Sequence, residues 1–446
     1  MNKPKLVLLV VIDCLRADRL SGTGYRRLTS PILDSYAARG TRFTACYPQG
    51  IYTFPSHTSL LTGVHHATHR LSNGDTFEYA LPTVADYFAA AGYQTAGFVS
   101  NGMLAGDMGL GDAFGLYDDG LAEGTANPKF SRDAATTTEA VMGWLEKDSA
   151  ESRFLFVHYN DCHGPIRPPA AYRDLFVDDA LYIPGAPLPL GRGRGVIPSD
   201  YALEGHTEPG YYAAQYDAAI RYIDDQLGRL LARLQTQWAW DDMLVLVTGD
   251  HGEGMGEHGI YFAHGKGFYE EFIRTPLWLF GGAVPARGLI EQPVQHIDVL
   301  PTLLEALQMG ELPAHLQGRS LWPWLRGQAT AQLADLFDFH QLSAYIRQGD
   351  WKYITTLDYT LAPRLQPLRR LLRRRQEELY DLAADPAEQM NQIGRQRALA
   401  RQMRALMLAR LTAYAAASPA KRAPGATPHA AEADIQQRMQ ALGYVE

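Results

Sequence analysis

The sequence predicts an α/β fold: a large, mostly parallel sheet sandwiched by helices, with a smaller C-terminal α+β unit built on a short antiparallel sheet. Three observations carry this. Short apolar runs recur at residues 6–12, 95–99, 154–158, 243–247 and 277–280, continuous rather than alternating. Such runs suit strands buried on both faces. Helix-patterned segments separate them, and strands alternating with helices give a parallel sheet. After Pro301 the pattern changes to short strand-like segments close together, which suits an antiparallel sheet.

Taken in order, the run 6–12 opens the sheet and ends at Asp13. A helix over 83–91 follows Pro82, and one over 133–147 has Ser131 as its candidate cap. The longest helix, 211–234, carries Tyr216, Ile220, Ile223, Leu227, Leu230, Leu231 and Leu234 on one stripe. Residues 184–198 are rich in Pro and Gly and read as a surface excursion rimming the site. Strands are expected at 345–348, 351–355 and 378–381, and helices at 395–416 and 432–442, with a linker over 418–428. Residues 1–329 form the catalytic α/β unit in this reading, and 330–446 the smaller C-terminal unit and tail.

Composition narrows the function. Hydrophobic residues make up 46% of 446, enough for a sizeable core. A net charge of −8 argues against binding bulk nucleic acid. The arginine-rich segment 364–375 reads as a solvated face, with docking of an anionic partner as the alternative. Three cysteines, Cys14, Cys46 and Cys162, are no disulfide framework and favour a reducing, cytoplasmic setting. The first apolar run is too short for a signal peptide, and no run reaches eighteen apolar residues, so no membrane span is expected.

Ligands on a parallel sheet collect at the carboxyl ends of its strands, where Asp13 and Asp250 fall. With His251 they make a set of two carboxylates and an imidazole, suited to a divalent metal. Thr53 precedes Phe54-Pro55 and a helix expected to begin near Ser56; a metal can activate its hydroxyl as a nucleophile. His163, just past a strand, is placed to protonate a leaving group. Lys266 and His264 can neutralise anionic oxygens. His158 reads as a core histidine, and His65, His66 and His69 as a solvated cluster.

At these residues the chain resembles the sulfatase branch of the alkaline phosphatase superfamily over nearly its whole length. The likeness rests on Val11-Ile12-Asp13-Cys14-Leu15-Arg16-Ala17-Asp18, the stretch from Thr53 to Gly63, Gly249-Asp250-His251-Gly252-Glu253, Tyr269-Glu270-Glu271, and Glu378-Leu379-Tyr380-Asp381-Leu382. The final Leu442-Gly443-Tyr444 fits it too. The resemblance implies a metal on Asp13, Asp250 and His251, with Thr53 as nucleophile and also a metal ligand, and His163 on the leaving group. It implies contact with the substrate anion from Asn73, and assigns Asn101 and His57 to the substrate side as well.

Four departures shape the reading. The motif Cys-x-Pro-Ser-Arg is Thr53-Phe54-Pro55-Ser56-His57 here, and a threonine, with a methyl on Cβ, cannot become formylglycine. The bracing arginine is therefore His57. The second Asp of the usual pair is Cys14, which favours Mn or Zn, with Ca and Mg also admissible. Lys266 and His264 compete for one lysine position. No Asp-x-x-x-His motif for a second zinc is present, so one metal is expected. The expected activity is metal-dependent hydrolysis of phosphate or phosphonate esters, of the phosphodiesterase or phosphomonoesterase type, through a phospho-threonine on Thr53. The alternatives are a sulfatase without formylglycine, or a phosphoryl-group transferase. The partner is a small anionic ester, and self-association is compatible with this reading.

Overall fold

Strand β1 (Leu6–Ile12) is buried from end to end. It lies at the centre of a nine-stranded sheet in a computed structural model describing residues 3–121, 131–147, 151–177, 179–328, 335–340, 343–357, 375–417, 419–421 and 432–441. The strands that follow are β2 (Thr41–Tyr47), β3 (Gln94–Phe98), β4 (Leu116–Asp118), β5 (Arg153–Tyr159), the short β6 (Leu190–Gly191) and β7 (Ile197–Pro198), β8 (Met243–Gly249), β9 (Thr275–Phe280), β10 (Gly288–Ile290) and β11 (Val294–Gln295). The main sheet runs β10-β2-β9-β8-β1-β5-β3-β4, with β11 also on β2. β1 pairs in parallel with β5 and β8, so Ile12, Tyr159 and Gly249 end at one level. β9 is antiparallel to both β8 and β2.

The continuous apolar runs follow from two cores. Val7, Leu9 and Val11 enter one, while Leu6, Leu8, Val10 and Ile12 enter the other. Alternate side chains of a strand point to opposite faces, so a sheet covered on both faces needs an apolar residue at every position. Each fully buried Leu or Val contributes about 1.5–3 kcal/mol relative to exposure. Helix Pro209–Leu234 covers the second face with the stripe read from the sequence, including Tyr216, Ile223, Leu227 and Leu231. Helix Ala134–Lys147 packs beside it. The cap of that helix is Asp133, whose Oδ1 accepts from Thr136 N at 2.7 Å, not Ser131.

The C-terminal sheet is antiparallel, in the order β12 (Leu336–His340), β13 (Ser343–Gln348), β14 (Trp351–Leu357), β15 (Arg375–Asp381). β12 was not expected from the sequence, and neither was β2, whose Thr41, Arg42 and Thr44 interrupt any apolar run. Helix Arg397–Ala415 lays Met403 and Met407 against Ile346, Tyr353 and Leu379 of this sheet. Lys352 is fully buried and bridges Glu270 and Glu388 at 2.9 Å each, tying β14 to the loop after β8. A boundary at 329/330, the arginine-rich segment up to 374, most of the 418–428 linker and the final Leu-Gly-Tyr lie outside the described residues.

Candidate active site

The site forms where β1, β5 and β8 end. Past Ile12 the chain turns through Cys14, which holds a left-handed φ of 61°. That conformation costs a non-glycine residue of order 1–3 kcal/mol and must be held by its surroundings. Two contacts hold it: Cys14 N donates to Asp250 Oδ1 at 3.0 Å, and Tyr216 Oη donates to Cys14 O at 2.7 Å. The turn sets Asp13 inward, fully buried. Asp250 occupies the equivalent place on β8. Gly252 follows because the backbone passes so close: a Cβ there would lie 2.0 Å from the Glu271 carbonyl oxygen.

Thr53 begins helix Thr53–Thr62, three residues earlier than expected, with Pro55 tolerated in the first turn. Every residue of this helix is buried, and several of its polar side chains back-bond to the preceding turn. Thr58 Oγ1 donates to Phe54 O at 2.9 Å, Thr62 Oγ1 to Thr58 O at 2.6 Å, and His57 Nδ1 to Thr53 O at 2.7 Å. Gly63 closes it in the left-handed conformation, φ 65°. At the open end, Asn73 Oδ1 accepts from Phe54 N at 3.0 Å, while Asn73 Nδ2 is buried with no partner among the described residues. Thr53 Oγ1 reaches Asp13 Oδ2 at 3.4 Å.

The electrostatics fit a cation. His251 Nδ1 donates to Gly252 O at 3.1 Å, which leaves the lone pair on Nε2. That Nε2 lies 3.5 Å from Asp250 Oδ2 and 3.8 Å from Asp13 Oδ1. His251 Nε2 and Asp250 Oδ2 are buried without a hydrogen-bond partner among the described residues. Acceptors that converge without a donor between them cost several kcal/mol unless a cation joins them. Burial, and then His264, pushes His251 down to about 3, so its imidazole is neutral and ready to ligate. Burial and the charge of Asp13 push Asp250 well above the ordinary carboxylate range. Asp13, Cys14 and His251 offer ligand atoms within 4.8 Å of one another, as do Cys14, His163 and His264. The donor set therefore suits a divalent metal.

The structure sorts the remaining candidates. His163 is buried at the end of β5, its Nδ1 donating to Gly164 O at 2.7 Å, with its ring 5.0 Å from that of His264. His264 lies deep in the site, Nδ1 3.2 Å from Glu253 Oε2, whereas Lys266 is exposed at the mouth. Asn101 faces Asp13 rather than open space: its Nδ2 donates to Asp13 Oδ2 at 3.0 Å and to Asn160 Oδ1 at 2.9 Å. With Oδ1 accepting from Met103 N, both ends of its amide are engaged among the described residues. Cys14 Sγ sits among Asp13 Oδ1, Glu253 Oε2 and His264 Nδ1 at 3.3–3.7 Å, so the thiol belongs to the site.

Two histidine readings are corrected. His158 is no ordinary core residue: its Nε2 lies 3.5 Å from Asp13 Oδ2. Its position inside a strand hid this, since the strand's last side chains reach the site's floor. His65, His66 and His69 are buried, not solvated: the unforeseen β12 covers His65 and His66, and His69 packs on helix Thr53–Thr62 at Ser59. His65 Nε2 donates to Phe337 O at 3.0 Å, His66 pairs with Asp338 at 3.0 Å, and His69 Nε2 meets Ser59 Oγ at 2.9 Å. Glu253 was missed as well; burial pushes its carboxyl up to about 7 beside Cys14. A cavity of about 340 Å³ opens from His264 to the surface between Tyr52, Arg192, Arg194, Tyr201 and Lys266. The excursion 184–198 forms one wall of it, as its composition suggested.

A sulfatase family model matches residues 5–309, and a model of the C-terminal region of N-sulphoglucosamine sulphohydrolase matches residues 256–416. Choline-sulfatase of Rhizobium meliloti is 27% identical over 446 aligned residues, covering 87% of this chain and 82% of the relative. The multifunctional alkaline phosphatase superfamily protein PehA of Trinickia caryophylli is 29% identical over 481, covering 86% and 92%. The structure of a phosphonate monoester hydrolase from Agrobacterium radiobacter superimposes with a TM-score of 0.72 at 22% identity, covering 94% of this chain and all of that one.

Proposed function

The chain belongs to the sulfatase family and is an ester hydrolase; we propose that it cleaves phosphate or phosphonate esters by transferring the phosphoryl or phosphonyl group to Thr53. The observation that carries this is a threonine, not an aldehyde precursor, on the first turn of a buried helix with Oγ1 3.4 Å from Asp13 Oδ2. A divalent cation on Asp13, Asp250, His251 and Thr53 would stabilise the Thr53 oxyanion and the charge on the phosphorus oxygens. Mn or Zn suits the nitrogen and sulfur donors present.

The Thr53 hydroxyl gives up its proton to solvent as Oγ1 attacks phosphorus in line with the leaving oxygen, and the phosphorus–oxygen ester bond breaks. His163 supplies the proton to the departing alcohol. Water then attacks the phospho-threonine and restores the Thr53 hydroxyl. An acceptor alcohol in place of water would make the same chemistry a phosphoryl transfer. Asn73 Nδ2, buried beside Thr53 without a partner among the described residues, is suited to an anionic oxygen of the substrate. Arg192, Arg194 and Lys266 at the mouth favour an anionic ester.

The sulfuryl reading is the alternative, favoured by the match of 256–416 to a sulphohydrolase C-terminal region. Parallel rates on an aryl phosphate, a bis-aryl phosphate, an aryl phosphonate and an aryl sulfate separate the two. A preference for the sulfate rejects the phosphoryl reading. The three free, buried cysteines support a reducing compartment. Among the described residues no helix is long and apolar enough to cross a membrane.

A further inference from the structure

Three polar atoms beside the expected metal centre have no hydrogen-bond partner among the described residues: His57 Nε2, His158 Nε2 and Asp250 Oδ2. All three residues are fully buried. Each residue offers one ligand atom within 4.8 Å of the others', and the His57 nitrogen nearest Asp250 Oδ2 is Nδ1, at 3.9 Å. The rings of His57 and His158 meet edge-on, with centroids 5.1 Å apart. We propose that His57, His158 and Asp250 hold a second divalent cation, next to the one on Asp13, Asp250 and His251, with the Asp250 carboxylate shared between them.

The local hydrogen bonds favour ligation. His57 Nδ1 donates to the Thr53 carbonyl at 2.7 Å, which leaves the lone pair on Nε2; Nε2 is the ring nitrogen farther from Asp250, so ligation through it takes a rotation of the ring. Orientation of a ligating imidazole by a backbone carbonyl on its other nitrogen is the usual arrangement at metal sites. Asp13 Oδ2 lies 3.5 Å from His158 Nε2 and is placed to complete a two-histidine, two-carboxylate set. His158 Nδ1 is 3.4 Å from Ser100 N, a long contact. Ligation through Nε2 moves the ring proton to Nδ1 and gives that contact up. Metal–ligand bonds of about 2.0–2.2 Å put donor atoms roughly 3.4 Å apart, so the group closes by about an ångström on binding.

Zn²⁺ fits these donors better than Ca²⁺, which prefers an all-oxygen shell of six to eight ligands. The site sits directly under the nucleophile, because His57 is one helical turn from Thr53 and bonded to its carbonyl. A cation there supplies positive charge at the foot of the helix where His57, a neutral imidazole, supplies none. The proposal rests on the reading of Asp250 as a metal ligand, and its failure is distinguishable from failure of that reading.

The test is metal content. Protein purified without chelator and equilibrated with Zn²⁺ is counted by mass spectrometry of the metal, and apoprotein is titrated with Co²⁺ while its visible absorption is followed. Two equivalents per chain and a two-phase Co²⁺ titration are expected. His57→Gln and His158→Gln should each lower the count to one and remove one phase. One equivalent in the wild type, with water bridging the three atoms instead, overturns the second site and leaves the first intact. A count of zero overturns both. Two equivalents retained in whichever variants fold also overturns the proposal.

Discussion

Thr53 Oγ1 lies 3.4 Å from Asp13 Oδ2, although forty residues and a change from strand to helix separate them. Asn101 holds the same carboxylate oxygen from the other side at 3.0 Å. The hydroxyl and the carboxylate are thus fixed by different elements, so removing the hydroxyl leaves the ligand in place. Thr53→Ala is expected to lower turnover on the order of a thousandfold or more while keeping the fold, with metal held more weakly by the three ligands that remain, Asp13, Asp250 and His251. Thr53→Ser should retain part of the activity, because the oxygen remains although its rotamer is freer. Near-normal turnover in Thr53→Ala would mean that water attacks directly.

His251→Ala should lose bound metal and turnover together. Its Nε2 converges with Asp250 Oδ2 at 3.5 Å and has no other partner among the described residues. Losing one direct ligand typically exceeds the ten- to hundredfold affinity loss seen when only its supporting group is removed. The metal found in protein prepared without chelator should be Mn or Zn. Stoichiometric Ca would contradict the role of Cys14 and His251 as softer donors.

Gly252→Ala tests the backbone geometry that seats His251. A methyl at Gly252 meets the Glu271 carbonyl at 2.0 Å, and Gly252 N donates to Phe272 O at 2.8 Å. The loop after β8 must therefore move, at about 1–3 kcal/mol or more. The Gly252 carbonyl that orients His251 Nδ1 moves with it. A lowered melting temperature with weakened metal binding is expected. Wild-type values for both would show that the loop has room the static geometry denies.

The sequence made the sheet and the candidate metal ligands readable for one reason: a strand covered on both faces is written as an unbroken apolar run, and Asp13 and Asp250 end such runs. β2 escaped because its partner strands at the sheet edge let polar side chains such as Arg42 remain half-exposed. His158 escaped because a strand's interior residues all look alike in sequence, and only the register with β1, His158 opposite Val11, shows it reaching the site. β12 was the costliest omission. Without it His65 and His66 had nothing to cover them, and a cluster joining two parts of the fold read as solvated.

That cluster makes the last prediction one of stability and pH. Burial holds His65 down at about 4, beneath its ordinary 6.5. A histidine with a depressed folded pKa stabilises the fold above its unfolded pKa. Between pH 6.5 and about 4 the unfolded chain takes up the proton while the native imidazole does not, so its contribution is lost as pH falls. At about 1.4 kcal/mol per unit this loss is on the order of 3 kcal/mol. Other buried groups slope the opposite way: burial lifts Asp161 and Asp224 to about 7, and each favours folding as it is protonated. The net slope of the wild type therefore does not isolate His65, and a variant must. His65→Asn keeps an acceptor near the Nδ1 position that receives Ala67 N at 3.0 Å, but cannot titrate. At pH 7 the variant should be less stable, since it loses the contact to Phe337 O and the stacking on the Phe337 ring. The gap should narrow as pH falls from 7 toward 4, because only the wild type carries the proton-linked penalty. Melting temperatures of both proteins across that range check it, and a gap that stays constant would place the His65 titration in the folded chain near its ordinary value.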